Sequence, residues 1–196
     1  ADLVESSRRP RPDEAYLALV MLGCVLAFSA LFLGPWGGLR RAAYAVGSAD
    51  WVVYSAAFLL FAGLLLPALF ALAVRLGGPV DDSGWRETVA RAARPLIPLG
   101  LCAWMAFTVA FALAKLSYIL PVLSDPFGLG WNLLGTAHWV IAPDGSGVTP
   151  LIQAGLLLGG MLWMGKIARQ DTPRRALGVQ GFGLLFTLGM LALLLA

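Results

Sequence analysis

The sequence is poor in charge and in the residues that carry out chemistry. Its 196 residues include one histidine and two cysteines, and only 13% of them are charged. A soluble domain carries about a quarter charged residues, so the 59% hydrophobic content and the mean hydropathy of +0.80 exclude a soluble enzyme. Cys24 and Cys102 both fall inside apolar runs, which predicts small buried hydrophobic residues and neither a disulfide framework nor a metal cluster.

Acidic residues are absent from every apolar run that is long enough to cross a membrane. Proton relays and cation-coupled carriers need such carboxylates, so a small-solute carrier ranks last among the possible functions. The sequence also lacks metal-spaced histidines, a glycine-rich phosphate loop and a Ser, His and Asp combination. We therefore expect the chain to work inside an assembly and to have no catalytic activity when isolated.

Five apolar runs reach the roughly 20 residues that a spanning helix needs. They predict an all-α, integral membrane helical bundle that forms one domain over residues 1–196. A short interfacial helix is predicted from Trp85 to Arg94, because Trp85, Val89 and Ala92 share one face. No small-residue cleavage site follows the first run, so we expect that helix to be retained. The predicted spans cover residues 16–33, 51–76, 96–120, 151–168 and 179–195.

Residues within or just before two of these spans predict local geometry. Ser48 and Asp50 are suited to cap the start of the second span, and Pro67 is expected to kink it. Gly155 and Gly159 in the fourth span have the four-residue spacing that lets helix backbones approach closely in lipid. Their face is therefore expected to pack against a neighbouring helix.

Basic residues concentrate in the segments that fall on one side of the predicted bundle. The other side holds only Arg40 and Arg41, and the outer loop 124–149 has no lysine or arginine. The positive-inside rule then predicts an internal amino terminus and an external carboxyl terminus. The formal charge of +3 reflects this topology, and no nucleic-acid partner is expected. The residues on the basic side are Arg8, Arg9, Arg11, Arg75, Arg86, Arg91, Arg94, Lys166, Arg169, Arg174 and Arg175.

Lys115 is the only charged residue inside the third predicted span. Ionisable groups within a membrane are costly and are functional candidates for that reason. Ser117 and Tyr118 lie just beyond it, and Gln153 is expected at a similar depth in the fourth span. This cluster is a candidate site for a quinone head group or for the backbone of a partner. The competing interpretation, which we favour, is that the Lys115 side chain extends to the outer surface.

His138 is the only histidine, and it lies in the outer loop. One histidine excludes the arrangement of two haems on four histidines that many quinol-oxidising membrane subunits use. It could still ligate one haem together with a methionine, or one chlorophyll. The favoured interpretation is an interfacial histidine that hydrogen-bonds to the loop backbone.

The outer loop is dense in apolar and aromatic residues that glycine and proline interrupt. No further span can form there, so turns and a short helix are predicted along the outer surface. Apolar surface outside the bilayer is typical of a docking site for another protein. A lid that folds over the bundle is an equal alternative.

Proline, glycine and aromatic residues recur in two runs of the second half of the chain: Pro95-Leu-Ile-Pro-Leu-Gly-Leu-Cys-Ala-Trp104 and Tyr118-Ile-Leu-Pro-Val-Leu-Ser-Asp-Pro-Phe-Gly-Leu-Gly-Trp-Asn-Leu-Leu-Gly-Thr-Ala-His138. In this placement the chain resembles the carboxy-terminal membrane region of bacterial polyferredoxin-type proteins of the NapH and NosR kind. The resemblance implies a role in quinol oxidation or in electron delivery to a periplasmic redox enzyme. Those proteins carry cysteine clusters, which this chain lacks, so any iron–sulfur centre would belong to a separate subunit.

Two hypotheses follow. The first is a membrane-anchor subunit of a respiratory or quinol-linked electron-transfer complex in the bacterial cytoplasmic (inner) membrane, without metal centres of its own. Its partners would be other membrane subunits, lipids and a periplasmic redox protein at the outer loop. The alternative is a structural or assembly subunit of a respiratory or photosynthetic supercomplex, which binds neighbouring helices, pigments or lipids.

Overall fold

A computed structural model of the chain describes residues 11–78, 84–116, 118–136 and 147–195. Within these ranges the secondary structure is helical, with no strand. A π-helical turn, Phe61–Leu65, joins the third and fourth helices, and a 3-10 turn, Pro173–Arg175, precedes the last helix. The α-helices are α1 (Pro12–Phe32), α2 (Gly37–Tyr44), α3 (Ala49–Leu60), α4 (Leu66–Leu76), α5 (Trp85–Ala93), α6 (Leu96–Leu116), α7 (Ile119–Ser124), α8 (Val148–Asp171) and α9 (Ala176–Leu195).

Five of the helical stretches in the described part of the chain are long and apolar enough to cross a membrane. They are α1, the continuous α3–π–α4 unit, α6, α8 and α9. This confirms the predicted all-α bundle of five spans. The third span is shorter than expected, because α6 ends at Leu116 and α7 begins at Ile119. The short helix α2 was not predicted.

Helices α6 and α8 form the most extensive contact of the bundle, and α9 packs beside α8 and α4. Helix α1 contacts α4, α5, α6 and α9, so it lies against most of the other spans. The large apolar side chains that are fully buried come from α1, α4, α6, α8 and α9 and are Leu22, Val25, Phe70, Val74, Leu96, Leu99, Leu157, Met164, Val179 and Met190.

The predicted close approach at Gly155 and Gly159 is wrong within the described chain. A Cβ atom built on either glycine meets nothing within 4 Å, whereas one built on Gly160 would lie 2.7 Å from Cys102 Cβ on α6. The reason is the helical periodicity, since one residue rotates a position by about 100° around the axis. The buried face of α8 is instead formed by Gln153, Leu157, Gly160, Met164 and Ala168.

The second span accommodates Pro67 through its π-helical turn. The Leu66 N–H bonds to the Phe61 carbonyl, five residues earlier. Proline has no N–H, so the Gly63 carbonyl four residues before Pro67 loses its usual partner. Tyr16 of α1 donates its hydroxyl to that carbonyl at 2.8 Å. A hydrogen bond from α1 thus replaces the one that proline cannot make within the second span.

One helix start and one short helix agree with the sequence signals. The Ser48 hydroxyl accepts a hydrogen bond from the Trp51 N–H at 3.1 Å, which confirms Ser48 as the cap of α3. Helix α5 occupies the place of the predicted interfacial helix. Its alanines, Ala90, Ala92 and Ala93, are buried, and the helix packs against α1.

Consecutive spans alternate in direction, so the bundle has two ends. The start of α1, the end of α4, helix α5 and the turn between α8 and α9 share one end, which we call the basic end. The opposite end carries α2, the α2–α3 turn and the segment that follows α6. The side of the membrane that the basic end faces stays a prediction from the distribution of lysine and arginine.

Candidate functional site

Gln153 is a buried residue of the α6–α8 interface. Its side chain is 3% exposed, and its amide Nε2 donates to the Ala106 carbonyl of α6 at 2.9 Å. A carboxamide that bonds to a carbonyl of a neighbouring helix stabilises helix association in a membrane. The structure therefore gives Gln153 a packing role, and its predicted role at a quinone head group stays a prediction.

Lys115 and Tyr118 lie near the end of the bundle opposite the basic end. The Lys115 backbone is in the last turn of α6, and Tyr118 precedes α7 with its side chain 52% exposed. Nine residues separate Lys115 from Ala106, the residue to which Gln153 bonds, which corresponds to about 13 Å of helix rise. The expected similar depth of Lys115 and Gln153 is therefore not found, because Gln153 contacts α6 more than two turns before its end.

His138 falls in residues 137–146, which lie outside the described residues. The prediction that it ligates one haem or one chlorophyll is therefore neither supported nor contradicted. Among the residues that are described, no group of three or more His, Cys, Asp or Glu side chains could hold a metal ion. Cys24 on α1 and Cys102 on α6 are both free thiols.

The chain that follows α6 forms an ordered surface structure over residues 119–136, which we call the outer segment. Asp125 organises it, because its Oδ1 accepts from the Leu129 N–H at 2.9 Å and its Oδ2 accepts from the Gly130 N–H at 2.8 Å. The Ser124 hydroxyl donates to Asn132 Oδ1 at 3.0 Å and accepts from the Leu134 N–H at 3.2 Å. Side chains of the segment thus fix its own backbone.

Positive backbone φ angles at three glycines let the outer segment turn repeatedly. Gly128, Gly130 and Gly135 have φ angles of 67°, 78° and 73°, a region that other residues rarely adopt. At the far side of the segment, the Thr136 hydroxyl donates to the Leu120 carbonyl at 3.1 Å, which ties its end to α7. The glycines of the outer segment therefore form its turns.

The outer segment exposes most of its large apolar side chains. Phe127 is 73% exposed, and its ring lies at 6.0 Å, edge to face, from that of Trp131. Residues 137–146 of the predicted loop lie outside the described residues, so docking of a partner and a lid over the bundle both stay predictions. The exposed apolar residues of the segment are Ile119, Leu120, Val122, Leu123, Phe127, Leu129, Trp131, Leu133 and Leu134.

An aromatic cluster between α1, α3 and α6 was not predicted from the sequence. Phe28 is its centre and lies 5.7 Å from Phe58 and 6.2 Å from Trp104, measured between ring centroids. The Trp104 indole N–H also donates to the Met21 carbonyl of α1 at 3.3 Å. The spacing of three and four residues along α1 and α6 was the available signal. The further members are Phe32, Phe107 and Phe111.

The fold is that of a multi-pass membrane protein, with five candidate spans in the described part of the chain. No protein-family model matches it, no curated protein matches it, and no solved structure matches it. The resemblance to polyferredoxin-type proteins therefore stays a prediction.

Proposed function

We propose that the chain is a membrane-anchor subunit of a bacterial electron-transfer complex and that the outer segment binds its redox partner. The observation that carries this proposal is the outer segment itself, which displays large apolar side chains on a backbone fixed by Ser124 and Asp125. A surface that is already rigid loses little conformational entropy when a partner covers it. Exposed apolar patches of this kind are typical of interaction sites.

The use of polar groups within the spans supports an anchor. Gln153 donates to a carbonyl of α6, Gln180 donates to the Gly165 carbonyl at 3.2 Å, and Trp104 donates to a carbonyl of α1. These groups bond neighbouring helices to each other. A catalytic or transport site would instead need several polar groups directed at one cavity.

The assignment to electron transfer rests on the sequence resemblance. In this proposal the partner supplies the metal centres, and the chain holds the partner at the outer membrane surface. Lys115 and Tyr118, at the end of α6, are the place where a quinone head group would bind, with Gln153 as the third predicted contact. A haem or chlorophyll at His138 is the less favoured cofactor.

A structural or assembly subunit is the second candidate, and the surface of α8 favours it. Gly155 and Gly159 lie on an exposed face of that helix, with open space where their side chains would be. Glycines at this spacing let a second helix approach closely in lipid. A neighbouring membrane subunit could therefore pack on this face.

The test uses the full chain, purified from its own membranes in mild detergent. Phe127→Asp should reduce the co-purified redox subunit at least about tenfold, because aromatic residues at the centre of an interface carry most of its binding energy. The amount is measured by optical spectroscopy of haem and electron paramagnetic resonance of iron–sulfur centres. Val46→Asp is the matched control, since Val46 is an equally exposed apolar residue at the same end, 76% against 73% for Phe127.

Lys115→Met tests the quinone part separately. A loss of quinol-dependent turnover in an intact complex supports the proposed site, and unchanged turnover in an intact complex shows that part to be wrong. If the protein that co-purifies carries no redox centre, the chain is a structural subunit. Equal loss of partner in Phe127→Asp and Val46→Asp would show that the outer segment is not the specific surface.

A further inference from the structure

A concave surface lies between α8 and α9 at the basic end of the bundle. It encloses about 460 Å³. Its wall is formed mainly by one face of α8, and Gln180 contributes from the second turn of α9. We call it the α8–α9 crevice. Its lining residues are Met161, Leu162, Met164, Gly165, Lys166, Arg169, Gln170 and Gln180.

The crevice carries positive charge without a compensating acid. Lys166 and Arg169 are three residues apart, so they lie on the same side of α8. No acidic side chain lines the crevice, and within the described ranges neither cation forms a salt bridge. Because α8 and α9 are antiparallel, their opposite terminal partial charges largely offset each other, and the side chains determine the local potential.

Polarity in the crevice changes along the helix axis. Leu162 lies about 10 Å deeper in the bundle than Arg169, as seven residues of helix rise require. The inner part is lined by Met161 and Leu162, and the outer part by Lys166, Arg169 and Gln170. Gln180 of α9 links the two helices at the crevice, because its Nε2 donates to the Gly165 carbonyl of α8 at 3.2 Å.

We propose that the α8–α9 crevice binds one anionic phospholipid. Its phosphate contacts Lys166 and Arg169, and the first part of its acyl chains lies against Met161 and Leu162. Basic pockets between spans recognise the phosphates of anionic lipids in this way. A free phosphate ion would use the two cations but not the apolar inner part, which is why we assign the site to a lipid.

The experiment measures lipid binding to the full chain in detergent micelles by native mass spectrometry. Phosphatidylglycerol is the probe, and phosphatidylcholine with the same acyl chains is the neutral comparison. Each basic residue near a membrane surface contributes roughly fivefold to the binding of an anionic lipid. Lys166→Gln combined with Arg169→Gln should therefore weaken phosphatidylglycerol binding about 25-fold and leave phosphatidylcholine binding unchanged.

The control removes the same charge at the opposite end. Arg40 and Arg41 are exposed on α2 and do not line the crevice, so Arg40→Gln with Arg41→Gln should retain the affinity for phosphatidylglycerol. The proposal is overturned if the crevice variant binds this lipid within about twofold of the parent chain, or if the control variant weakens equally. Displacement of the lipid by millimolar inorganic phosphate would assign the crevice to a free anion and overturn the lipid assignment.

Discussion

Replacing Gly160 by alanine should separate α6 from α8. An added Cβ would lie 2.7 Å from Cys102 Cβ, 3.2 Å from Cys102 Sγ and 3.3 Å from Leu99 Cα. Carbon atoms in good contact are roughly 3.5 to 4.0 Å apart, so the two helices must move by about 1 Å or Cys102 must change its position. The backbone atom of Leu99 offers no rotamer that would relieve the contact.

The expected cost follows from comparison with Gly159→Ala. Both substitutions introduce the same methyl group into α8, so any gain in helix propensity, at most about 1 kcal/mol, is common to the two variants. Only the Gly160 variant overpacks an interface, which costs about 1 to 3 kcal/mol. The free energy of unfolding of Gly160→Ala should therefore be about 1 to 3 kcal/mol below that of Gly159→Ala.

Unfolding of the purified chain in mixed micelles by sodium dodecyl sulfate provides the measurement, with circular dichroism and tryptophan fluorescence as independent probes. Adding Cys102→Gly to Gly160→Ala removes the opposing side chain and should recover part of the loss. If Gly160→Ala and Gly159→Ala unfold within about 0.5 kcal/mol of each other, the close α6–α8 approach is refuted. A larger loss of stability for Gly159→Ala than for Gly160→Ala would return the packing face to the originally predicted glycines.

Two further predictions concern hydrogen bonds at α1 and α3. Tyr16→Phe should lower the free energy of unfolding by about 0.6 kcal/mol, the average for such bonds between spans, whereas Tyr44→Phe, at an exposed hydroxyl, should leave it unchanged in the same unfolding assay. Ser48→Ala should cost about 1 kcal/mol at the start of α3 and speed amide exchange of Trp51, while Ser48→Asp keeps a capping oxygen and should preserve the protection.

The number and positions of the spans could be predicted because lipid requires about 20 apolar residues per helix. The predicted ends of the helices were less accurate, because a helix can continue through polar residues beyond its apolar part. Helix α8 runs from Val148 to Asp171, three residues past both predicted limits. Helix α2 was missed because Gly37–Tyr44 begins with two glycines and contains no long apolar run.

The roles of individual residues depended on tertiary packing that spacing does not specify. Gly155 and Gly159 predicted a close helix contact at a glycine of α8, but on the wrong face. The contact is made one residue further along, at Gly160. Gln153 has the chemistry of a ligand-binding residue, yet its amide bonds to Ala106 of a helix 47 residues away. The aromatic side chains of α6 were visible in the sequence, but their partners on α1 and α3 were not.

The bond from Tyr16 to the Gly63 carbonyl has a consequence for biosynthesis. The hydrocarbon core offers no water to an unpaired carbonyl oxygen, so a backbone acceptor freed by proline needs a protein donor. That donor lies 47 residues earlier in the chain. Tyr16 is therefore synthesised before Gly63. The donor on α1 is already present when the second span, which carries the acceptor, enters the bilayer.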